Sequence, residues 1–145
     1  MDTGKDNKNN VSVAVIDSHA QLRDMTVKQL ESSGYTVLFQ IGNGQDALQK
    51  LKENDRLPDV CFIEEDFATA KLLLKNHPDL KVLISSTKDN KESVTDMLKT
   101  GVSGYVLKYA DPDDMLTAVK VLSGNGKYFS VGISGVATEY FRRNT

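Results

Sequence analysis

Four side chains that can do chemistry together stand at the ends of four apolar runs. Val11 to Ile16 leads into Asp17, and Pro58-Asp59-Val60-Cys61-Phe62-Ile63 leads into Glu64. Lys81 to Ile84 leads into Ser85 and Ser86, and Gly104 to Leu107 leads into Lys108. Two carboxylates, a hydroxyl and an ammonium can hold a cation, meet a phosphoryl group, or close on one another as an ion pair. Ser18, Glu65 and Asp66 follow the first two acids directly and extend the polar set. Such groups meet only if the runs are parallel neighbours, since the carboxyl edge of an open parallel sheet is where sites form.

The stretches between the runs supply that sheet. Ala20 to Ser33 carries Leu22, Met25 and Leu30 among good helix formers and stops at Gly34, a natural helix end. Tyr35 to Gln40 is β-branched and aromatic, which predicts a strand. Gly42-Asn43-Gly44 reads as a turn, with no Gly-Lys-Ser/Thr to make it a phosphate loop. Helices are expected over about Gln45 to Glu53, Ala68 to Asn76 and around Val94, Met97 and Leu98 up to Gly101. Asp111-Pro112 is a helix start, with a capping acid, proline at the first position, and Asp113 and Asp114 in the first turn. Five βα units call for helices on both faces of a parallel sheet. The expectation is a doubly wound, flavodoxin-like α/β fold of five strands in the order 2-1-3-4-5. Residues 11–130 would form it, behind a polar mobile tail at 1–10. Residues 131–145, where Ile133, Val136, Ala137, Tyr140 and Phe141 make an apolar stripe, would be a C-terminal helix packed on its own domain, a dimer surface, or a linker.

Bulk properties narrow the function. A length of 145 residues suits one domain, and a net charge of −2 gives no electrostatic case for nucleic-acid binding by this segment. The single cysteine, Cys61, forms no internal disulfide and falls inside a buried strand, so a core thiol is expected. No apolar run approaches the roughly 20 residues of a membrane span, and the polar start has no signal-peptide core. A cytoplasmic protein is expected. His19 reads as a capping or surface residue, and Lys71 and Lys75 as a solvated helix face.

From Val11 to about Ser130 the chain resembles the receiver domains of two-component response regulators, in particular those that precede LuxR-type helix-turn-helix domains. Ile16-Asp17-Ser18-His19 is similar to the acidic turn after the first strand, and Pro58 to Glu64 to the strand bearing the phosphoacceptor. His77-Pro78-Asp79-Leu80-Lys81-Val82-Leu83-Ile84 is similar to the approach to the switch hydroxyl, which falls on Ser86. Gly101 to Lys108 resembles the stretch with the switch aromatic, here Tyr105, and the family's lysine, here Lys108. The resemblance implies a signalling module, not an enzyme, with a sensor kinase or another signalling protein as partner.

The departures from that pattern bear on the chemistry. Ser18 stands where the family has a second acid, and Glu64 where it has the phosphoaccepting aspartate. The loop after Glu64 is about six residues short of the family pattern. Receiver phosphorylation needs a carboxylate nucleophile and a magnesium ion offsetting charge. A serine hydroxyl carries no formal charge for the metal, and a glutamate oxygen lies roughly 1.5 Å beyond an aspartate's. A misplacement of about 1 Å can cost on the order of 100-fold in such chemistry. Magnesium at Asp17 and Glu64 is therefore expected to be weak or absent, and no other cofactor is expected. Glu64 could pair with Lys108 and take the Ser86 hydroxyl as a weak phosphoryl mimic, or merely neutralise Lys108 in a retired pocket. Glu65 and Asp66 could offer replacement metal oxygens or be solvated. Tyr105 could be a turning switch or a strand-end tyrosine with its hydroxyl in water. Weak self-association through Met115, Leu116, Val119 or the C-terminal stripe is also expected. The readings kept open are a low-efficiency phosphoacceptor from a LuxR-type transcriptional regulator and, more remotely, a cofactor-binding flavodoxin-like protein.

Overall fold

The computed structural model describes residues 11–144. The tail expected at 1–10 lies outside them. Six parallel strands form one sheet: β1 Ser12–Ile16, β2 Thr36–Ile41, β3 Val60–Glu64, β4 Val82–Ser86, β5 Gly104–Leu107 and β6 Tyr128–Phe129, in the order β2-β1-β3-β4-β5-β6. The described residues form six helices, α1 Ala20–Ser32, α2 Gly44–Glu53, α3 Phe67–Asn76, α4 Lys91–Thr100, α5 Pro112–Ser123 and α6 Val131–Arg143. The flavodoxin-like arrangement of the five βα units is as expected, but the sheet has a sixth strand. Two residues are too few to show a period of two, so β6 escaped the reading of the sequence. Its pairing with β5 depends on a close approach: a Cβ on Gly104 would stand 3.1 Å from the Tyr128 carbonyl oxygen and 2.9 Å from Leu83 Cδ1.

The pleat divides the sheet into two cores. Val13, Val15, Phe62, Leu83 and Val106 face α1 and α5, packing with Leu30, Val119 and Leu122. Ala14, Ile16, Cys61, Ile63, Ile84 and Tyr105 face the other way, toward Leu51, Leu73, Met97 and Ile133. Strands buried on both faces read as continuous apolar runs, which is why β1, β3, β4 and β5 were legible. Cys61 is fully buried and its thiol is pushed up to about 12 by that burial.

Helix ends follow local chemistry. Asn43 accepts from the Asp46 N–H at the start of α2, which takes in Gly44 rather than leaving it in the turn. Asp111 caps α5 as its sequence predicts, accepting from the Asp113 N–H at 2.9 Å. The C-terminal segment is a helix packed on its own domain. Ile133 and Ala137 are buried, and Val136, Tyr140 and Phe141 pack partly against the same core. The stripe expected as a dimer surface is thus largely used within the chain, and Val119, on the inner face of α5, is fully buried. Lys71, expected as solvated, reaches across from α3 to Asp96 on α4 at 2.9 Å. Both partners are about half exposed, so the pair contributes little stability.

Candidate functional site

The four strand ends converge at one edge, but the pleat sorts their side chains onto two faces. Glu64 and Ser85 are Cα partners across β3 and β4, and Ser85 pairs with Val106 of β5. Alternation then places Asp17, Glu64, Ser85 and Lys108 on the α1/α5 side. All four line a cavity of about 420 Å³ between α1 and α5. Ser86, one residue further along β4, belongs to the opposite side with Tyr105.

On the first face, Lys108 Nζ lies 3.2 Å from Glu64 Oε2, the pairing expected from the sequence. The Glu64 side chain is 9% exposed and the Lys108 side chain 40%. Despite the contact, Oε2 is buried without a hydrogen bond of good geometry. Burial raises the Glu64 carboxyl above the usual carboxylate range; Ser85 and Lys108 oppose the shift, and the Asp17 charge adds to it. Desolvation therefore outweighs the ion pair. Asp17 is 3% exposed and accepts the His19 N–H at 2.9 Å, while the Asp17 carbonyl accepts from Arg23 at 2.9 Å. His19 is a surface residue as expected, its ring 3.7 Å from Asp17 and its side chain contributing no helix cap. Ser18 is exposed.

The second face is closed by hydrogen bonds. Ser86 Oγ donates to Glu65 Oε1 at 2.7 Å, not to Glu64 as the sequence reading allowed. Glu65 Oε2 accepts the Thr87 N–H at 3.0 Å. The cause is the backbone: Glu65 stands at φ 61, a left-handed conformation uncommon outside glycine, which throws its side chain across to β4. Ser86 Oγ also accepts the Lys88 N–H at 3.0 Å. Tyr105 is fully buried and donates to the Lys88 carbonyl at 2.5 Å, so its hydroxyl is not in water. Its ring meets Phe67 edge-on, 6.1 Å between centroids, and Lys88 Nζ sits over the Phe67 ring. Asp66 caps α3, accepting from the Thr69 N–H at 3.0 Å and the Thr69 hydroxyl at 2.7 Å.

Neither Glu65 nor Asp66 is thus free as a substitute metal ligand. Among the described residues no group of three or more His, Cys, Asp or Glu is arranged to hold a metal ion. Asp17 and Glu64 remain as two carboxylates on one face, with the Lys108 ammonium already against the second. Magnesium takes near-octahedral oxygen ligands, of which this face offers two carboxylates.

Two features went unread in the sequence. Thr87 contributes through its backbone, which no side-chain pattern signals. Asp114 accepts from the hydroxyls of Tyr128 and Ser130, and Ser130 Oγ accepts the Leu107 N–H at 2.9 Å. This cluster ties α5, β6 and the start of α6 to the end of β5. Its signal, a polar residue at each of three element ends, becomes visible only once β6 is known.

The profile of the response regulator receiver domain matches residues 13–120. The chain is 29% identical to the transcriptional regulatory protein DegU of Brevibacillus brevis, over 94% of this chain and 60% of that one. It is 26% identical to the nitrate/nitrite response regulator NarL of Escherichia coli K12, over 95% of this chain and 66% of that one. It thus spans about 60% of the length of the curated relatives it matches. A LuxR-family two-component response regulator from Aurantimonas sp. SI85-9A1 superposes with a TM-score of 0.78 at 18% identity, covering 92% of this chain and 96% of that one. The isolated receiver domain of RcsB from Salmonella enterica, solved with a phosphomimetic, gives 0.74 at 18%, covering 88% and 98%. At these identities the two structures speak for the fold alone.

Proposed function

The chain belongs to the response regulator receiver domain family, and on that premise we propose that it signals by protein–protein contact and not by phosphoryl transfer at Glu64. The observation that carries this is the state of Glu64 itself. A nucleophile must be free and correctly placed. The Glu64 carboxylate is buried against Lys108, at a position where the family carries the shorter aspartate, and no group of three or more His, Cys, Asp or Glu surrounds it among the described residues.

The contact surface that this reading favours lies along α1 and α5. Leu22 and Met25 are 40% and 65% exposed, two of the few large apolar side chains left uncovered, and both line the cavity that holds Glu64 and Asp17. Pro112 and Met115 form its other wall. An apolar rim around buried acids suits a helix of a sensor kinase or another signalling protein. The alternative surface on α4 is partly taken by α6, which packs against it. No helix among the described residues is long and apolar enough to cross a membrane. A cytoplasmic location is part of the proposal, in keeping with the response regulator family.

The test is intact-mass spectrometry after incubation with acetyl phosphate and magnesium. The expected spectrum shows no added phosphoryl group. A labile adduct mapped to Glu64 would overturn the proposal in favour of a low-efficiency phosphoacceptor, the reading kept alive by the retention of Ser86, Tyr105 and Lys108.

A further inference from the structure

The C-terminal segment is weak as local structure and depends on what it is tied to. β6 has two residues and pairs, among the described strands, with β5 alone. α6 is 13 residues long, a length marginal for a helix in water. It begins on Val131, which is 92% exposed, and carries Gly132 and Gly135 in its first two turns. Gly132 is needed, since a Cβ there would stand 2.9 Å from Leu107 Cδ1. At Gly135 a Cβ would meet nothing within 4 Å, so that glycine weakens the helix without serving its packing. Ser130 occupies the N-cap position of α6 yet makes no side-chain cap bond. Its hydroxyl is engaged elsewhere, donating to Asp114 and accepting the Leu107 N–H. The other Asp114 oxygen takes the Tyr128 hydroxyl, a bond that holds the phenolic proton and pushes that group up to about 12. One side chain on α5 thus ties both the strand and the helix start, while Ile133 and Ala137 are the buried apolar contacts of α6.

We propose that β6 and α6 form a strap over α4 that opens as one unit, and that the Asp114 carboxylate is its latch. Off α4, a 13-residue helix with two glycines and no side-chain cap has little to keep it helical, so detachment and unwinding go together. The hinge is residues 124–127, where Asn125 at φ 69 and Gly126 return the chain from α5 to β6. When the strap is open, β1 to β5 remain as the sheet and the Leu107 N–H turns to water. On the reading that the chain signals by contact, a closed strap covers α4 and leaves α1 and α5 as the open surface, and an open strap adds α4 to it.

Thiol labelling of the full chain tests this, because Cys61 is the only cysteine and lies fully buried in β3. An Ala137→Cys variant places a second thiol on α6 at a position 2% exposed. With an aromatic disulfide as the probe, the introduced thiol should react at least about tenfold faster than Cys61 in the same molecule, since strap opening exposes the first and global unfolding exposes both. Adding Asp114→Ala should speed the introduced thiol by about tenfold or more, the loss of hydrogen bonds to a charged group. Adding Asp113→Ala, an exposed acid in the same first turn of α5, should leave it within about twofold. Gly135→Ala should slow it about fivefold by strengthening the helix. Equal rates for the two thiols would show that the segment comes away only when the whole domain unfolds, and would overturn the strap. An Asp114→Ala rate no higher than the Asp113→Ala rate would overturn the latch. If Asp114→Ala unfolds the chain, Cys61 reacts at once, and Tyr128→Phe, which keeps the ring and removes one latch bond, gives the same comparison. Labelling involves neither phosphate nor a partner, so the strap and the contact reading can fail separately.

Discussion

The two faces of the sheet edge carry similar groups and satisfy them to very different degrees. On the α1/α5 face, Glu64 is buried with one ion-pair contact and an oxygen lacking a good hydrogen bond. On the opposite face, Glu65, Ser86, Lys88 and Tyr105 are joined in a continuous chain of hydrogen bonds. The first face opens on a cavity and the second is closed. A strained but fully bonded network fixes structure; a buried and under-bonded carboxylate beside an apolar rim leaves a surface that a partner can complete. If this division is right, substitutions on the closed face should act on stability, and substitutions on the open face on binding and pH response.

The largest effect should come from Tyr105→Ala. The ring is fully buried among Phe67 and the α3–α4 core, and its loss should cost about 3–5 kcal/mol, read by urea denaturation. Met25→Ala, in the open groove, should change stability by no more than about 0.5 kcal/mol while weakening capture of a signalling partner. Comparable losses from both would erase the distinction between the faces.

Ser130→Ala should rank next. It leaves the Leu107 N–H, inside the sheet and beside Lys108, without its acceptor, a cost of about 1–3 kcal/mol. Amide exchange at Leu107 should rise with it. A variant as stable as the wild type would mean that Ser130 merely decorates the start of α6.

These rankings show what was legible beforehand. The strands that carry Asp17, Glu64, Ser86 and Lys108 announce themselves because burial on both faces makes them uniformly apolar, and the start of α5 because Asp111-Pro112 has a local cause. The Glu64–Lys108 pair followed from the placement of both residues at strand ends on one edge of the sheet. The partner of Ser86 did not, for two reasons. Ser85 and Ser86 differ only by the pleat, and a one-residue shift in register exchanges their faces. Nothing in the residue type of Glu65 signals φ 61, which arises because the chain must turn into α3 within two residues of β3. The Asp114–Tyr128–Ser130 cluster was hidden for the same reason as β6: it exists only through tertiary contact.

The open face should also show a distinctive pH dependence. The folded-state pKa of Glu64 is raised by burial, so its contribution favours folding below the ordinary carboxylate value of 4.5 and is lost as pH rises through the raised folded value. Glu64→Gln, which stays neutral, should therefore gain thermal stability relative to the wild type as pH goes from acid to neutral. A constant difference across that range would mean that the Lys108 pairing fully offsets the burial of the carboxylate. Glu65→Gln is the control on the closed face, where the lost charge-assisted bonds should lower stability at neutral pH by about 1–3 kcal/mol.

The smallest effect, and the sharpest test of what separates this chain from a phosphoaccepting receiver, is magnesium binding. The wild type should show no affinity tighter than about 1 mM by calorimetry, a binding free energy of only about −4 kcal/mol. The double change Ser18→Asp with Glu64→Asp returns two carboxylates to the positions the family uses and shortens the reach toward Lys108. It should produce a weak, measurable magnesium response. The response stays weak because Glu65 remains committed to Ser86 and Thr87 and Asp66 to Thr69, so neither can complete an oxygen shell. Adding Glu65→Gly to the double variant should not strengthen it, since the Glu65 carboxylate lies on the other face. A double variant with no response would place the defect in the short connection between β3 and α3 rather than in the two side chains. A triple variant that binds far more tightly than the double would show that the two faces share one site, and the division between them would fall.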